Sequence, residues 1–394
     1  MRLSYTPEQL ALRDELREYF SEIMTPEVRH ALRDGYSVPE ATETYRAIVR
    51  RLGEDGWLGI GWPKEIGGQG RTMVEQAIFN DEAAYADVPT PLLTINSVGP
   101  AIAAYGTEEH KRTLLAGILE GRVHFAIGYS EPESGTDLAS LRTRAVREGD
   151  EYVVNGQKLW TGMMEAADYI WLAVRTDPEA PKHKGISVLL VPRHAPGISS
   201  TRLRTMGRHS VAAVSFDDVR VPVANRIGPE NGGWKLVTGQ LNTERVALVS
   251  AAGLEKALER VVAWASARRT PGGGRHIDQP WVRANLARVR AEIEFLKLLN
   301  HKLAAAVDRG ELQPADASAA KVYGSELTVR ANRLLSEVTG QHGYLAPGAP
   351  EAVLDGGLGK RAASAHVMTF IGGANEIQRD LIAQLGLGLP RSPR

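Results

Sequence analysis

The chain has no cysteine among its 394 residues, which removes disulfides, thiol nucleophiles and thiolate metal sites from consideration. It has no excess of either charge, with 47 Lys and Arg against 47 Asp and Glu, so the basic surplus that usually accompanies nucleic-acid binding is missing. No apolar run reaches the roughly 18 residues that a membrane-spanning helix requires. The opening residues include Arg2, Glu8, Arg13, Asp14 and Glu15, too many charges for the apolar core of a secretory signal, and the expected compartment is the cytoplasm. A serine hydrolase would carry G-x-S-x-G, and none is present. Walker loops and H-E-x-x-H zinc helices are missing too, and the 10 histidines are scattered without ligand spacing.

What is present is the composition of an ordinary globular protein, 43% apolar and 24% charged, long enough for two or three domains. The first third reads as helices. Thr6-Pro7-Glu8-Gln9 has the pattern of a capping box with proline at the first helical position, and Leu12, Leu16, Phe20 and Met24 then repeat every fourth residue as one apolar stripe. Gly61 to Gly68 is a loop of helix-stopping residues, and helical character returns from about Val74 to Gly121.

From His124 the period shortens to that of strands, with runs at 124–129, 141–147, 151–154, 157–160, 169–175, 185–192 and 211–221. Asn155-Gly156 reads as a two-residue hairpin, because both positions favour positive φ. Helical periodicity resumes near Gly232. Leu286, Val289, Ile293, Leu296, Leu299 and Leu303 mark a long amphipathic helix, and 316–339 and 362–386 look helical as well. The expected class is therefore α+β: a helical N-terminal domain (1–123), a β-sandwich or barrel (124–231) and a helical C-terminal domain (232–394).

Three glycine-containing segments bear on chemistry. Gly357-Leu358-Gly359-Lys360-Arg361-Ala362 matches a loose dinucleotide fingerprint but has no strand before it, which argues against that use. Tyr129-Ser130-Glu131-Pro132-Glu133-Ser134-Gly135-Thr136-Asp137 follows a strand; it is either a plain turn or a cradle whose hydroxyls and backbone N–H groups hold phosphate or flavin atoms. Ile371-Gly372-Gly373-Ala374-Asn375-Glu376 is either a simple helix start or a place where a ligand approaches the backbone closely.

Read in order, these segments resemble the acyl-CoA dehydrogenase family along essentially the whole chain. Gly61–Gly70 is similar to that family's N-domain loop, and Tyr105–Lys111 to its G-T-x-E-x-K segment. Ser130-Glu131-Pro132 with Gly135-Thr136-Asp137 resembles its first signature, Asn155–Trp160 its N-G-x-K-x-W segment, and Gly372–Arg379 its C-terminal signature. Met1–Pro7, Ile95–Val98 and Gly233–Val237 narrow the resemblance to the catalytic-type subunit of actinobacterial steroid side-chain acyl-CoA dehydrogenases, which assemble as α2β2 tetramers.

The resemblance implies a C-terminal four-helix bundle and FAD held between the β domain and the C-terminal helices. It assigns flavin and phosphate contacts to Tyr129, Ser130, Gly135 and Thr136, and places Trp160 and Thr161 against the flavin ring; read locally, Trp160 is simply core. The hydroxyl usual two positions after this tryptophan is replaced by Gly162. Arg268, Gly340 and Glu376 correspond to cofactor contacts, Arg268 and Gly340 lying in motifs that complete a neighbouring subunit's FAD. Those donor motifs are altered: Pro271 stands for an aromatic residue, and Glu337 and Gln341 stand for glutamine and glycine.

Many family members carry the catalytic glutamate at the position of Gly372. Here the implied base is Glu244 in Leu241-Asn242-Thr243-Glu244-Arg245, as in the isovaleryl and long-chain enzymes. Thr136, Asn242, Arg245 and the Gly372 backbone are the implied substrate contacts. The implied partners are an acyl-CoA, a homologous subunit and an electron acceptor such as electron-transfer flavoprotein. An acyl-CoA oxidase, a branched- or medium-chain dehydrogenase and a non-catalytic subunit remain open alternatives; Glu244 argues against a flavin monooxygenase.

Overall fold

The computed structural model describes residues 4–33, 35–36, 38–207, 210–247 and 250–391, and for 241–247 the backbone alone. In chain order the main elements are α1 (Pro7–Ile23), α2 (Pro26–Ala31), α3 (Pro39–Glu54), α4 (Met73–Ala86), α5 (Gly99–Tyr105), α6 (Glu108–His110) and α7 (Ala116–Leu119). The strands are β1 (Phe125–Gly128), β2 (Arg144–Glu148), β3 (Glu151–Thr161), β4 (Tyr169–Arg175), β5 (Ile186–Pro192), β6 (Ile198–Arg204), β7 (Ser210–Pro222) and β8 (Arg226–Ile227). Then follow α8 (Gly233–Ala247), α9 (Ala252–Ala267), α10 (Pro280–Asp308), α11 (Pro314–Thr339), α12 (Gly357–Ala365) and α13 (Asn375–Leu381). These elements form two compact units: Met1–Met24 with Thr72–Val88 and Arg245–Arg394, and Thr25–Arg71 with Pro89–Glu244.

In the first unit, α1 starts where the capping box places it. Thr6 Oγ1 accepts from the Gln9 N–H at 3.3 Å while Gln9 Oε1 accepts from the Thr6 N–H at 3.0 Å. Its stripe buries Leu12, Leu16 and Phe20, and Phe20 meets Phe79 of α4 edge-on with centroids 5.8 Å apart. The leucine-rich face of α10 packs with α9 and α11 around Val261, Leu286, Val289, Ile293, Leu296 and Leu335. Helix α4 ends sooner than its periodicity predicts. Asp87 takes φ 59, and Pro89 and Pro91 follow; neither can donate a helical hydrogen bond, and the helix resumes only beyond them.

The second unit is built on an eight-stranded sheet in the order β6-β7-β3-β2-β4-β5-β8, with β1 parallel to β4. Its halves join at a single registered pair, Arg144 with Arg175. Both halves turn apolar side chains to one core, Tyr152, Val154, Val214 and Phe216 from one and Ile170, Leu172, Leu189 and Val191 from the other, as in a sandwich.

The expected Asn155-Gly156 hairpin does not form. Strand β3 runs unbroken from Glu151 to Thr161, and the actual turn from β2 lies at Gly149-Asp150. Gly156, at φ 144, sits in a register shift against β7, where an added Cβ would come within 2.7 Å of the Thr143 Cα. Asn155 is spent on a reciprocal pair with Asp218, its Nδ2 donating to Asp218 Oδ1 and its Oδ1 accepting from the Asp218 N–H, each at 2.9 Å. Strand β6, polar and without alternation, carries no periodic signal and escaped the sequence reading.

Burial also sets a pH limit on this unit. His124 is 3% exposed, and burial, reinforced by the nearby Arg46 charge, pushes its imidazole from the ordinary 6.5 down to about 4. Below pH 6.5 the unfolded chain binds a proton that the folded chain refuses, so stability falls as pH drops toward 4, by up to roughly 3 kcal/mol from this residue. Urea midpoints at pH 7 and 4.5 check this: His124→Gln should show the smaller acid loss, and equal losses in both proteins would exclude the assignment.

Candidate functional site

In the β-based unit, the Tyr129–Asp137 segment leaves β1 and is tied down at its start by β3. The Leu159 N–H donates to Ser130 O at 2.8 Å. Lys158 Nζ donates to Tyr129 O at 3.0 Å and to Glu131 Oε1 at 2.8 Å. Glu131 further accepts the backbone N–H groups of Arg142 at 2.7 Å and Thr143 at 2.9 Å. Both members of this ion pair are buried. Burial alone would raise the Glu131 carboxyl, but Lys158 and the amide donors outweigh it and hold the group below its ordinary value. Burial pulls the Lys158 ammonium down to about 8 against the pull of Glu131. Sequence reading singled out Tyr129 and Ser130 here and missed the clamp, although Glu131 and Lys158 both stand in motifs it quoted.

With the start of the segment fixed, its tip is open. Gly135 and Thr136 are exposed, and nothing lies within 4 Å of a Cβ added at Gly135. Asp137 is held by Lys182 at 2.8 Å and by the Ser140 hydroxyl at 2.5 Å.

Strand β3 ends in an irregular turn that displays an aromatic ring. The register with β7 shifts between Lys158 and Thr161, and Trp160 takes φ 66, a conformation costly for a bulky residue. Its side chain is 60% exposed, which overturns the local reading of Trp160 as core. Next to it, the Thr161 hydroxyl is buried with no hydrogen-bond partner, and Gly162 has nothing within 4 Å of an added Cβ. An open indole face, an unused hydroxyl and side-chain-free backbone suit a flat ring system with polar edges.

Helix α8 carries Asn242, Glu244 and Arg245, whose side chains lie outside the described residues. One turn earlier, Gln240 is buried, and its Oε1 accepts from Trp171 Nε1 at 3.1 Å and from the Tyr129 hydroxyl. Neither Gln240 nor Trp171 stood out in the sequence.

The helical unit holds the remaining candidates in two groups. Arg268 follows α9, its guanidinium 5.3 Å from the Trp264 ring centroid and its Nη2 donating to His342 Nε2 at 2.9 Å. His342 lies two residues after Gly340, which ends α11 at φ 56 and has nothing within 4 Å of an added Cβ. Gly372 and Gly373, at φ 65 and 97, form the turn before α13, whose first turn carries the exposed Glu376. Asn375 anchors that turn, its Oδ1 accepting from the buried Lys321 Nζ at 2.7 Å. Gly357–Ala362 opens α12 with no strand before it.

Among the described residues, no group of three or more His, Cys, Asp or Glu side chains could hold a metal, and no helix is long and apolar enough to cross a membrane.

Comparison with known proteins agrees along the whole length. The models of the acyl-CoA dehydrogenase N-terminal, middle and C-terminal domains match residues 6–122, 126–219 and 231–387. The chain is 55% identical over 401 residues to acyl-CoA dehydrogenase FadE26 of Mycobacterium tuberculosis, covering 100% of each. Among solved structures, it is similar to a chain of the ChsE4-ChsE5 complex from Mycobacterium tuberculosis, with TM-score 0.93, 55% identity and 100% of both chains covered. It is also similar to a chain of the Tcur3481-Tcur3483 steroid ACAD, with TM-score 0.92, 48% identity and 100% of both chains covered.

Proposed function

We propose that this chain, which belongs to the acyl-CoA dehydrogenase family, desaturates the α,β bond of a bulky, steroid side-chain CoA thioester with FAD as its cofactor. The observation that carries the flavin assignment is the end of β3, where an exposed Trp160 at positive φ adjoins the unpartnered Thr161 hydroxyl and the open backbone of Gly162. Bound there, FAD would supply the acceptor for the hydride that leaves the β carbon.

The chain's own residues do the rest. Glu244 takes the α proton, a task suited to a carboxylate whose basicity rises on desolvation. The Gly372 N–H polarises the thioester carbonyl and so favours the developing enolate. Thr136, Asn242 and Arg245 hold the CoA thioester. Tyr129, Ser130, Gly135 and Thr136 would hold the flavin's polar atoms, and Trp160 and Thr161 would lie against its ring. Arg268, Gly340 and Glu376 serve a cofactor through the helical unit.

Two glycines favour the bulky substrate. Gly162 leaves open space where relatives carry a hydroxyl, and Gly372 lacks the carboxylate many relatives carry there. The name of the Tcur3481-Tcur3483 steroid ACAD agrees with that choice. A homologous second subunit is part of the reading, because Pro271, Glu337 and Gln341 alter the motifs that would complete a neighbour's FAD. That one relative was solved as the ChsE4-ChsE5 complex fits this arrangement. Electron-transfer flavoprotein is the natural class of acceptor.

The test is anaerobic titration of the purified protein, alone and with its homologous partner, against a panel of acyl-CoAs, with FAD counted per chain. Flavin should bleach with higher kcat/KM for a steroid side-chain CoA than for butyryl- or octanoyl-CoA. Preference for the straight chains would defeat the steroid assignment, and no bleaching with any thioester would defeat the reaction.

A further inference from the structure

Helix α8 carries Glu244, and one turn before it a three-residue hydrogen-bond ring, two of its members buried and Tyr129 half-buried, joins that helix to the β sheet. Trp171, in the centre of β4 and fully buried, donates its indole N–H to the Tyr129 Oη at 3.0 Å and to Gln240 Oε1 at 3.1 Å. The Tyr129 hydroxyl, already accepting from the indole, donates its proton to the same Gln240 oxygen. Indole nitrogen is a donor only, so the amide must face it with oxygen, and this settles which end of the Gln240 side chain is which. The Gln240 Nε2 on the other end has no partner.

The ring is non-local, its members coming from the end of β1, from β4 and from α8. Through Tyr129 it touches the clamp described above, since the Tyr129 carbonyl accepts from Lys158 at 3.0 Å. Gln240 therefore links the segment assigned to the flavin with the helix assigned to the base. An oxygen at which a buried indole N–H and a half-buried hydroxyl both aim is costly to replace by a group that cannot accept.

We infer that Gln240 is a positioning residue: its carbonyl oxygen, accepting from Tyr129 and Trp171, sets the pose of α8 on which Glu244 works and of Tyr129 beside the cofactor. The oxygen carries this role and the amide nitrogen does not. The inference rests on the proposed function for the identity of the base and of the ligand beside Tyr129.

Two substitutions separate the ends of the amide. Gln240→Met keeps the length and removes the acceptor; Gln240→Glu keeps an acceptor oxygen and removes the unpartnered nitrogen. In the flavin-loaded protein as purified, Gln240→Met should lower kcat for acyl-CoA by about 10- to 100-fold, the scale on which small misplacements act, with KM little changed. After flavin is stripped, its affinity for added FAD should fall by about 3- to 10-fold, the worth of one hydrogen bond. Gln240→Glu should stay within about threefold of wild type in both measurements. Tyr129→Phe, combined with Gln240→Met, should cost less than the two changes taken separately, because both break the same bond.

Wild-type behaviour of Gln240→Met would overturn the inference. So would equal impairment of Gln240→Glu and Gln240→Met, or strict additivity with Tyr129→Phe. Glu244→Gln, run alongside, tells the two readings apart. If it keeps full turnover, the base assignment has failed; if it loses turnover while the Gln240 variants behave as wild type, only the positioning role has failed.

Discussion

Glu244→Gln should retain FAD and thioester binding while losing about 10² to 10⁴ in turnover, the contribution typical of a general base. The amide is close to isosteric with the carboxylate and cannot take the α proton. The measurement is single-turnover flavin bleaching under anaerobic conditions, with binding followed separately by the spectral change on adding a non-reducible thioester. Wild-type bleaching would remove Glu244 from the mechanism. A companion variant, Gly372→Glu in the Glu244→Gln background, should recover only a small part of the rate. A carboxylate at the alternative family position need not reach a productive geometry, and Gly372 lies at φ 65, where any side chain is strained.

The second large effect belongs to the buried clamp. Lys158→Met leaves the Glu131 carboxylate in the interior with its two backbone donors but without its counter-charge. Breaking one side of such a pair costs about 3 to 5 kcal/mol, to be read from urea unfolding near neutral pH. The pH dependence has a definite sign. Without Lys158 the folded-state pKa of Glu131 rises, so the variant regains stability relative to wild type as pH falls and the carboxyl protonates. Lys158→Met with Glu131→Gln together should recover much of the loss, because no uncompensated charge remains. A single variant that unfolds at the wild-type midpoint would show that the pair contributes little to the fold. Flavin retention measured on the same samples reports whether loosening the Tyr129–Asp137 segment also weakens the cofactor site.

The amino-acid sequence by itself determined the α+β class, the order of helical, β and helical regions, the capped start of α1, the apolar face of α10 and the family. Each depends on local spacing: a capping box closes over four residues, amphipathic periodicity over a few turns, and the motifs are short segments whose order alone is diagnostic. The same locality explains the misreadings. Asn155-Gly156 has the local chemistry of a hairpin, but pairing with Asp218, 63 residues away, and with β7 makes it a bulge within one strand. Trp160 has the composition of core, yet the register shift in β3 turns it outward.

Only the tertiary structure decided who meets whom. It gathered α1 and α4 into one compact unit with the C-terminal helices, paired Arg268 with His342 across 74 residues, buried Lys158 against Glu131, and closed the ring between Tyr129 and Gln240, which stand 111 residues apart. Such contacts leave no periodic trace, because a buried donor or charge is satisfied by whichever partner the strand order and helix packing bring within about 3 Å.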